Sequence, residues 1–375
     1  MRILQISNYY PPHIGGIEQV AADIALSISD TDIEQQVFCF NHEKGDSVDS
    51  VDGVKIIRAG CFAKVASQSL SLSYGKLLKK TFKEFNPDVV IFHYPNPFGA
   101  RYLIKVLKKY PDCKLVLYWH LDITKQKLLG KLFEGQNKWL LQHATKVVAT
   151  SPNYIEGSKW LQSVKDKCVV IPCCANDSRI SVSEEVKDAA HKIREELSDK
   201  IICFAFGRHV PYKGIEYIVR ASKLLDDRFV IFIGGKGELT EELKNLAADD
   251  KKVKFLGRIS DDELKDYLTA CDIFCFPSIT KNEAFGIGLA EAMAFGKPAV
   301  TFTIEGSGVN YVSLDGVTGI EVENRNVQAY ADAIIKLADA QTLREQYGNA
   351  AKERVMNLFT FAQFKDHIIK LLGNF

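Results

Sequence analysis

The sequence predicts an α/β protein built from two doubly wound parallel-sheet domains. Three observations carry that expectation. Short apolar runs alternate with longer amphipathic segments through both halves, the pattern that lays parallel strands beside crossover helices. At 375 residues the chain is too long for one ordinary core. Finally, "RILQISNYYPPHIGGIEQVAADIALSI" and "IICFAFGRHVPYKGIEYIVRASKLL" share one plan: a strand, a loop with proline, Gly-Ile-Glu and an amphipathic helix.

In the first half the strand candidates are "RILQIS", "QQVFCF", "VKIIRA", "DVVIFHY", "KLVLYW" and "KVVATS". "DTD" at residues 30–32 has the form of a metal-binding Asp-x-Asp, but it falls between a helical segment and the strand "QQVFCF" and reads as a connection. Residues 1–175 then form an N-terminal Rossmann-like domain. The polar stretch "CCANDSRISVSEEVKDAAHKIREELSDK" separates the halves, and the linker is placed at 176–198. The strands "IICFAFG", "RFVIFIG", "VKFLG", "DIFCFPS" and "KPAVTF" give a second Rossmann-like domain over 199–355. Downstream of Ile320 the pattern is helical, and the amphipathic segment 356–375 is free to cross back to the first domain. Two such domains would face each other across a cleft with their strand-end loops, where open α/β sheets bind ligands.

Composition narrows the function classes. Hydrophobic residues make up 46% and charged residues 25%, as in a soluble globular protein. With 48 basic and 47 acidic side chains the net charge is +1, which gives no reason to expect a nucleic-acid partner. The nine cysteines are an odd number and most lie in apolar runs such as "VFCF", the usage of free thiols in a reducing compartment. Cys173 and Cys174 are adjacent but lie in no metal-ligand spacing, and they read as structural. No stretch approaches the roughly 18 to 20 apolar residues of a membrane span. "MRILQISNYY" lacks the apolar core and cleavage site of a signal peptide, so a cytoplasmic location is expected.

"EAFGIGLAEAMAFGKPAV" places Glu283 ahead of a helix and Glu291 two turns inside it. A helix start offers unpaired N–H groups and a positive dipole end, which suit phosphate, while carboxylates suit sugar hydroxyls. An isolated pair of this kind would more simply be a capping acid and a solvated surface Glu. "GRHVPYKG" follows a strand and brings Arg208 and Lys213 to the next helix start, a fork and a point charge for a diphosphate. Either alone would be an ordinary surface charge. "GGKGEL" adds Gly234, Gly235 and Gly237, a backbone that can approach a nucleotide closely, although loops after strands use glycine anyway. A lone histidine after a strand, such as His120 in "LYWHLDI", is more often packed than functional.

Taken in order, "GGIE", "GRHVPYKG", "GGKGEL", "FLGRIS", "CDIFCFPS", "EAFGIGLAEAMAFGKPAV" and "DGVTGI" resemble the retaining glycosyltransferases of the GT-B class, group 1. The resemblance covers nearly the whole chain and is clearest from Gly207 to Gly319. It implies that Glu283, matching the first glutamate of the family's Glu-x-seven-Glu motif, contacts hydroxyls of the donor sugar, and that Glu291 holds the nucleotide's ribose. Main-chain N–H groups around Phe285, Gly286 and Ile287 would bind sugar and phosphate, and Gly235, Lys236, Gly237 and Ile259 would line the donor. Arg208 and Lys213 would neutralise the diphosphate leaving group, with Gly16 bringing its backbone against it from the other domain. His120 would stand near the sugar and the reaction centre. Two departures are visible: "IPCCAND" lacks the family's glycine, and His209 stands where an apolar residue is common.

On this resemblance the chain is a retaining glycosyltransferase of bacterial capsule, O-antigen or exopolysaccharide assembly, similar to mannosyl- and rhamnosyltransferases. The implied donor is a nucleoside-diphosphate sugar, GDP-mannose before a UDP-sugar, and the acceptor a glycan or lipid-linked oligosaccharide. No metal or cofactor is expected, because side-chain cations and backbone dipoles can stabilise the departing diphosphate. A GT-B-fold epimerase and a non-catalytic nucleotide-sugar-binding protein are the alternatives. Lys76, Lys79, Lys80 and Lys83 share one helical face, and "RYLIKVLKKY" and "KQKLLGKLFEGQNKW" are also lysine-rich. Such faces are usually solvated surface; the functional reading is peripheral association with an anionic membrane.

Overall fold

Strands that are apolar at almost every position need helices on both faces. By its internal contacts the chain forms two units, Met1–Ile171 with Phe364–Phe375, and Pro172–Gln363. The computed structural model describes residues 1–375 apart from 14, 66–67, 124–126 and 198, so Lys125, in the third lysine-rich segment, lies outside the described residues.

The first unit contains β1 (Arg2–Ile6), β2 (Glu34–Phe40), β3 (Ser47–Val51), β4 (Val54–Ala59), the hairpin β5 (Ala63–Val65) and β6 (Gln68–Leu70), β7 (Val89–Tyr94), β8 (Lys114–Trp119), β9 (Lys146–Ala149) and β10 (Cys168–Val170). Its main sheet has the order β10-β9-β8-β7-β1-β2-β4-β3, parallel except for the antiparallel pair of β3 with β4. Strand order reverses between β1 and β7, and every residue of β7 is buried. The edge strand β3, "SVDSV", carries no apolar run and is exposed along most of its length, so periodicity does not reveal it. "DTD" lies in the turn before β2, and Asp30 accepts from Lys365 Nζ at 2.6 Å.

The second unit contains β11 (Ile201–Phe206), β12 (Phe229–Gly234), β13 (Val253–Gly257), β14 (Ile273–Phe276), β15 (Ala299–Phe302) and β16 (Gly319–Val322). All are parallel, in the order β13-β12-β11-β14-β15-β16. Numbered within the unit this is 3-2-1-4-5-6, with its reversal between β11 and β14, the position where such sheets take ligands. Two expectations change here. The chain after Ile320 is not helical at once, because β16 runs to Val322 and pairs with β15; four residues are too few to show a period.

Nor is 176–198 a free linker. Helices Asp177–Ile180 and Glu184–Glu196 occupy it, both within the second unit. The longer one is capped by Ser183, buries Val186 and Ala190, and ties Arg194 Nη2 to Asp272 Oδ1 at 2.5 Å. Its many charges are the solvated face of an amphipathic helix, which composition alone makes look like a connection.

The loop after β11 turns at Pro211–Lys213 and enters the helix Ile215–Ser222 through Gly214. Gly214 has φ +61°, and a Cβ there would lie 2.1 Å from the Pro277 carbonyl oxygen in the loop after β14. The same two loops are joined by Ile279 N–H donating to the Tyr212 carbonyl at 2.9 Å. Gly214→Ala is therefore expected to cost about 1–3 kcal/mol or more through strain and forced separation. A lowered urea midpoint checks this; an unchanged midpoint would mean that the two loops part freely.

Candidate active site

The carboxyl ends of β11 and β14 bring together the charged residues that the sequence places far apart. Lys213, at the end of the Pro211–Lys213 turn, reaches Glu283 beyond β14, with Nζ to Oε2 2.5 Å. Ser278 Oγ donates to the same carboxylate oxygen at 3.0 Å, and Ser307 Oγ donates to the Glu283 carbonyl. The ammonium also lies over the rings of Phe276 and Tyr212, at 5.1 and 5.7 Å from their centroids. Burial acts to lower the Lys213 pKa, but Glu283 and then Tyr212 outweigh it and hold the ammonium above its ordinary range. Lys213 is thus kept charged in a half-dry site. Arg208, five residues earlier, is exposed and donates from Nη2 to the Tyr212 hydroxyl at 3.2 Å.

The loop after β12 is stitched beneath this one. Gly207 N–H donates to Gly234 at 3.1 Å, His209 N–H to Lys236 at 3.2 Å and Leu239 N–H to His209 at 3.0 Å. A Cβ at Gly235, where φ is +113°, would lie 1.9 Å from the Gly207 carbonyl oxygen, so only glycine permits this approach. Lys236 and Gly237 are exposed, and the Ile259 side chain lies against Gly234. His209 is buried, with Nδ1 3.0 Å from Thr240 Oγ1 and its ring edge-on to Phe255, which explains how it replaces an apolar residue.

Gly286 heads the helix Ile287–Ala294, and Glu291 lies inside it, 2% exposed. Its carboxylate accepts from Arg179, Nε to Oε1 at 2.5 Å and Nη2 to Oε2 at 3.4 Å, while Arg179 Nη1 lies 3.2 Å from Asp261 Oδ1. Phe285 is buried with its ring edge-on to Phe359, which leaves only its backbone to meet a ligand. Arg179, Ser278 and Tyr212 belong to this arrangement and were not singled out from the sequence. Arg179 had no local signal: it stands 112 positions from its partner, in a stretch read as linker.

The first unit carries the two remaining candidates. Gly16 is the exposed first residue of the helix Gly16–Ser27, after the loop that follows β1. His120 follows β8 and is buried, its backbone N–H bonded to the Tyr94 carbonyl at 2.9 Å. The segment after it is anchored by Asp122, which accepts from Trp119 Nε1 at 2.9 Å and Ser158 Oγ at 2.8 Å. Burial, and then neighbouring His93, hold the His120 imidazole well below its ordinary range.

Two family models match this chain: Glycosyl transferases group 1 over residues 186–354, and Glycosyltransferase Family 4 over residues 14–179. The chain is also 30% identical over 377 residues to the O-antigen chain mannosyltransferase C of Escherichia coli, covering 100% of this chain and 97% of that one. It belongs to the group 1 glycosyltransferases. A second relative, the D-rhamnosyltransferase WbpZ of Pseudomonas aeruginosa, is 31% identical over 366 residues, 96% of this glycosyltransferase and 92% of that one. Among solved structures, the sucrose-phosphate synthase of Thermosynechococcus elongatus superposes with a TM-score of 0.82 at 18% identity, covering 100% and 98% of the two chains. HepE of Anabaena in complex with UDP-glucose gives 0.81 at 17% identity, covering 100% of both. The glycosyltransferase therefore has the GT-B fold.

Removing Arg179 from a nearly buried Glu291 leaves a carboxylate without that guanidinium in a desolvated place. Arg179→Ala is expected to lower unfolding free energy by roughly 3 kcal/mol, as for other broken buried pairs. Urea titration at neutral pH reads it; a loss below about 0.5 kcal/mol would class the pair with exposed salt bridges.

Proposed function

We propose that this glycosyltransferase transfers a sugar, with retention, from a nucleoside-diphosphate sugar to a glycan or lipid-linked acceptor in bacterial surface-polysaccharide assembly, with GDP-mannose preferred over a UDP-sugar. The observation that carries the reading is the Lys213–Glu283–Ser278 cluster at the strand-order reversal of the second sheet, with Arg208 on the same loop as Lys213. Lys213 has three donors and spends one on Glu283, so a diphosphate can share the ammonium without unseating it. Arg208 is exposed and adds a fork for a second phosphoryl group. Glu283 then serves sugar hydroxyls through its remaining acceptor positions, and Glu291 the ribose beside Arg179. The backbone N–H groups around Phe285, Gly286 and Ile287 face phosphate at a helix start.

For Gly16 and His120 the resemblance assigns diphosphate and sugar contacts, and both follow strands at the carboxyl edge of the first sheet, where doubly wound folds take ligands. As the glycosyl–phosphate bond breaks, charge collects on the departing oxygen, and preorganised cations stabilise it there more than in the ground state. On this reading no divalent metal is needed. The mannosyl preference is supported by the name of the E. coli relative, and the surface-polysaccharide context by its O-antigen chain.

Lys213→Ala and Arg208→Ala are each expected to lower kcat on the order of 10²- to 10³-fold. The exposed Arg208 variant keeps its thermal midpoint close to wild type, whereas Lys213→Ala also lowers it by leaving the Glu283 carboxylate without its ammonium, so its kcat is read well below that midpoint. The assay is release of nucleoside diphosphate from GDP-mannose and from a panel of UDP-sugars, with mannose-terminated glycans as acceptors, with and without chelator. Near-normal turnover in both variants defeats the site, and complete, metal-reversible loss under chelator defeats metal independence.

No helix among the described residues is long and apolar enough to cross a membrane. Lys76, Lys79, Lys80 and Lys83 are exposed on the helix Tyr74–Phe85, whose Leu78, Phe82 and Phe85 are buried; Lys105, Lys108 and Lys109 are exposed on or beside the neighbouring helix Pro97–Leu107. At about 1 kcal/mol per lysine near an anionic surface, four on one face suffice for peripheral, salt-sensitive attachment. The expected result is sedimentation with anionic but not neutral liposomes at low salt, reduced when the four lysines of the first helix become Gln. Equal partitioning, or none, would return them to solvated surface.

A further inference from the structure

His120 is the end of a buried polar chain that none of the roles above uses. Its Nε2 lies 2.9 Å from His93 Nδ1, and His93 Nε2 lies 3.1 Å from Gln5 Oε1. All three residues are buried, on or just after the neighbouring strands β1, β7 and β8. The two imidazole planes are only 13° apart, with centroids separated by 5.2 Å. So wide a centroid separation for so short an N···N contact requires the rings to lie edge to edge in nearly one plane, where the nitrogen lone pair lies.

The direction of the protons along this chain follows from its far end. Gln5 Nε2 donates to the Ala21 carbonyl at 3.2 Å, and a carbonyl can only accept. The amide is thereby oriented with Oε1 toward His93, and an amide oxygen can only accept as well. His93 must therefore carry its proton on Nε2, which leaves Nδ1 as a lone pair facing His120. With burial pushing the His93 pKa down to about 3, the imidazole stays neutral and cannot donate from both nitrogens. His120 must supply the proton of the N–H···N bond from its own Nε2.

We infer that Gln5 and His93 are positioning residues that fix His120 as its Nε2–H tautomer, so that Nδ1 is presented without a proton as an acceptor for a substrate hydroxyl. The substrate half of this inference rests on the glycosyl-transfer reading; the tautomer half does not. A side chain of this kind takes a hydrogen bond from a sugar O–H and has no proton to give from that nitrogen. It discriminates for a hydroxyl and against a carbonyl or ether at the matching position, because an acceptor facing an acceptor gains nothing and loses its water.

The test begins with the unliganded full chain labelled with ¹⁵N at histidine. Scalar coupling through the hydrogen bond between His93 Nδ1 and His120 Nε2 is expected, with the proton resident on His120 Nε2. Absence of the coupling, or a proton resident on His93 Nδ1, overturns the inference. His93→Leu is expected to release His120 into a mixture with a measurable Nδ1–H population. His93→Asn, whose Oδ1 stands where Nδ1 stood, is expected to keep His120 as Nε2–H. A single Nε2–H tautomer persisting in His93→Leu overturns the positioning role.

In turnover of GDP-mannose, His93→Leu should lose on the order of tenfold or more in kcat, and His93→Asn should recover most of it. Equal losses in the two variants at equal thermal midpoints also count against positioning. A confirmed hydrogen-bond chain in a protein that turns over no nucleotide sugar would sink the glycosyl-transfer reading and leave the tautomer assignment standing.

Discussion

The ion pair between Lys213 and Glu283 is the constraint around which the second unit's loops are arranged. Desolvating an ammonium and a carboxylate is costly, and only close geometry with further hydrogen bonds offsets it. The surrounding chain supplies both: Ser278 donates to the carboxylate, two aromatic rings face the ammonium, and Ser307 fixes the glutamate's backbone. For the pair to meet, the loops after β11 and β14 must run within van der Waals distance, and so Gly214 stands where a side chain would strike Pro277. The loop after β12 in turn packs on the first through Gly235. An interaction of this kind is a poor source of net stability. Its value lies in holding a cation charged and aimed: the Lys213 ammonium is complete below its ordinary value of 10.5 and its raised pKa in the folded state carries the charge further into alkali, so its share of stability fades only as pH rises through that higher value.

Both units begin with the same device, a buried strand whose carboxyl end opens into a loop, a glycine and a helix start, placed at the reversal of strand order. They use it differently. In the second unit the loop bears Arg208 and Lys213, whereas in the first the chain that ends at His120 is neutral and buried: an amide, two imidazoles and a helix carbonyl in sequence. One strand-loop-helix plan thus carries a pair of cations in one unit and a neutral hydrogen-bond chain in the other.

The fold was legible because its parallel strands are buried on both faces, so "VVIFHY", "IICFAF" and "IFCF" read as continuous apolar runs that no amphipathic helix would contain. Glu283, Glu291, Arg208 and Lys213 could be picked out because each has a local address, at or near a helix start. What escaped was non-local or neutral. Arg179 meets Glu291 across 112 positions, and Gln5 meets His93 across 88. In a linear reading His93 is one more residue of a buried strand. The helix Glu184–Glu196 was hidden by its solvated face, and β3 and β16 by being short and partly exposed.

The second unit's sequence is uninterrupted, Pro172–Gln363, while the first unit is assembled from 1–171 and 364–375. One unit is thus an insert within the other, and an insert requires its own two ends to lie side by side. Here they do: Ala175 bridges Thr360, and its N–H donates to the Phe359 carbonyl at 2.8 Å. On the ribosome this fixes an order of completion. The insert has all its residues while its host still lacks those from Phe364 onward, so the first unit, with every strand of its sheet already made, waits for its last helical segment through the synthesis of an entire neighbour.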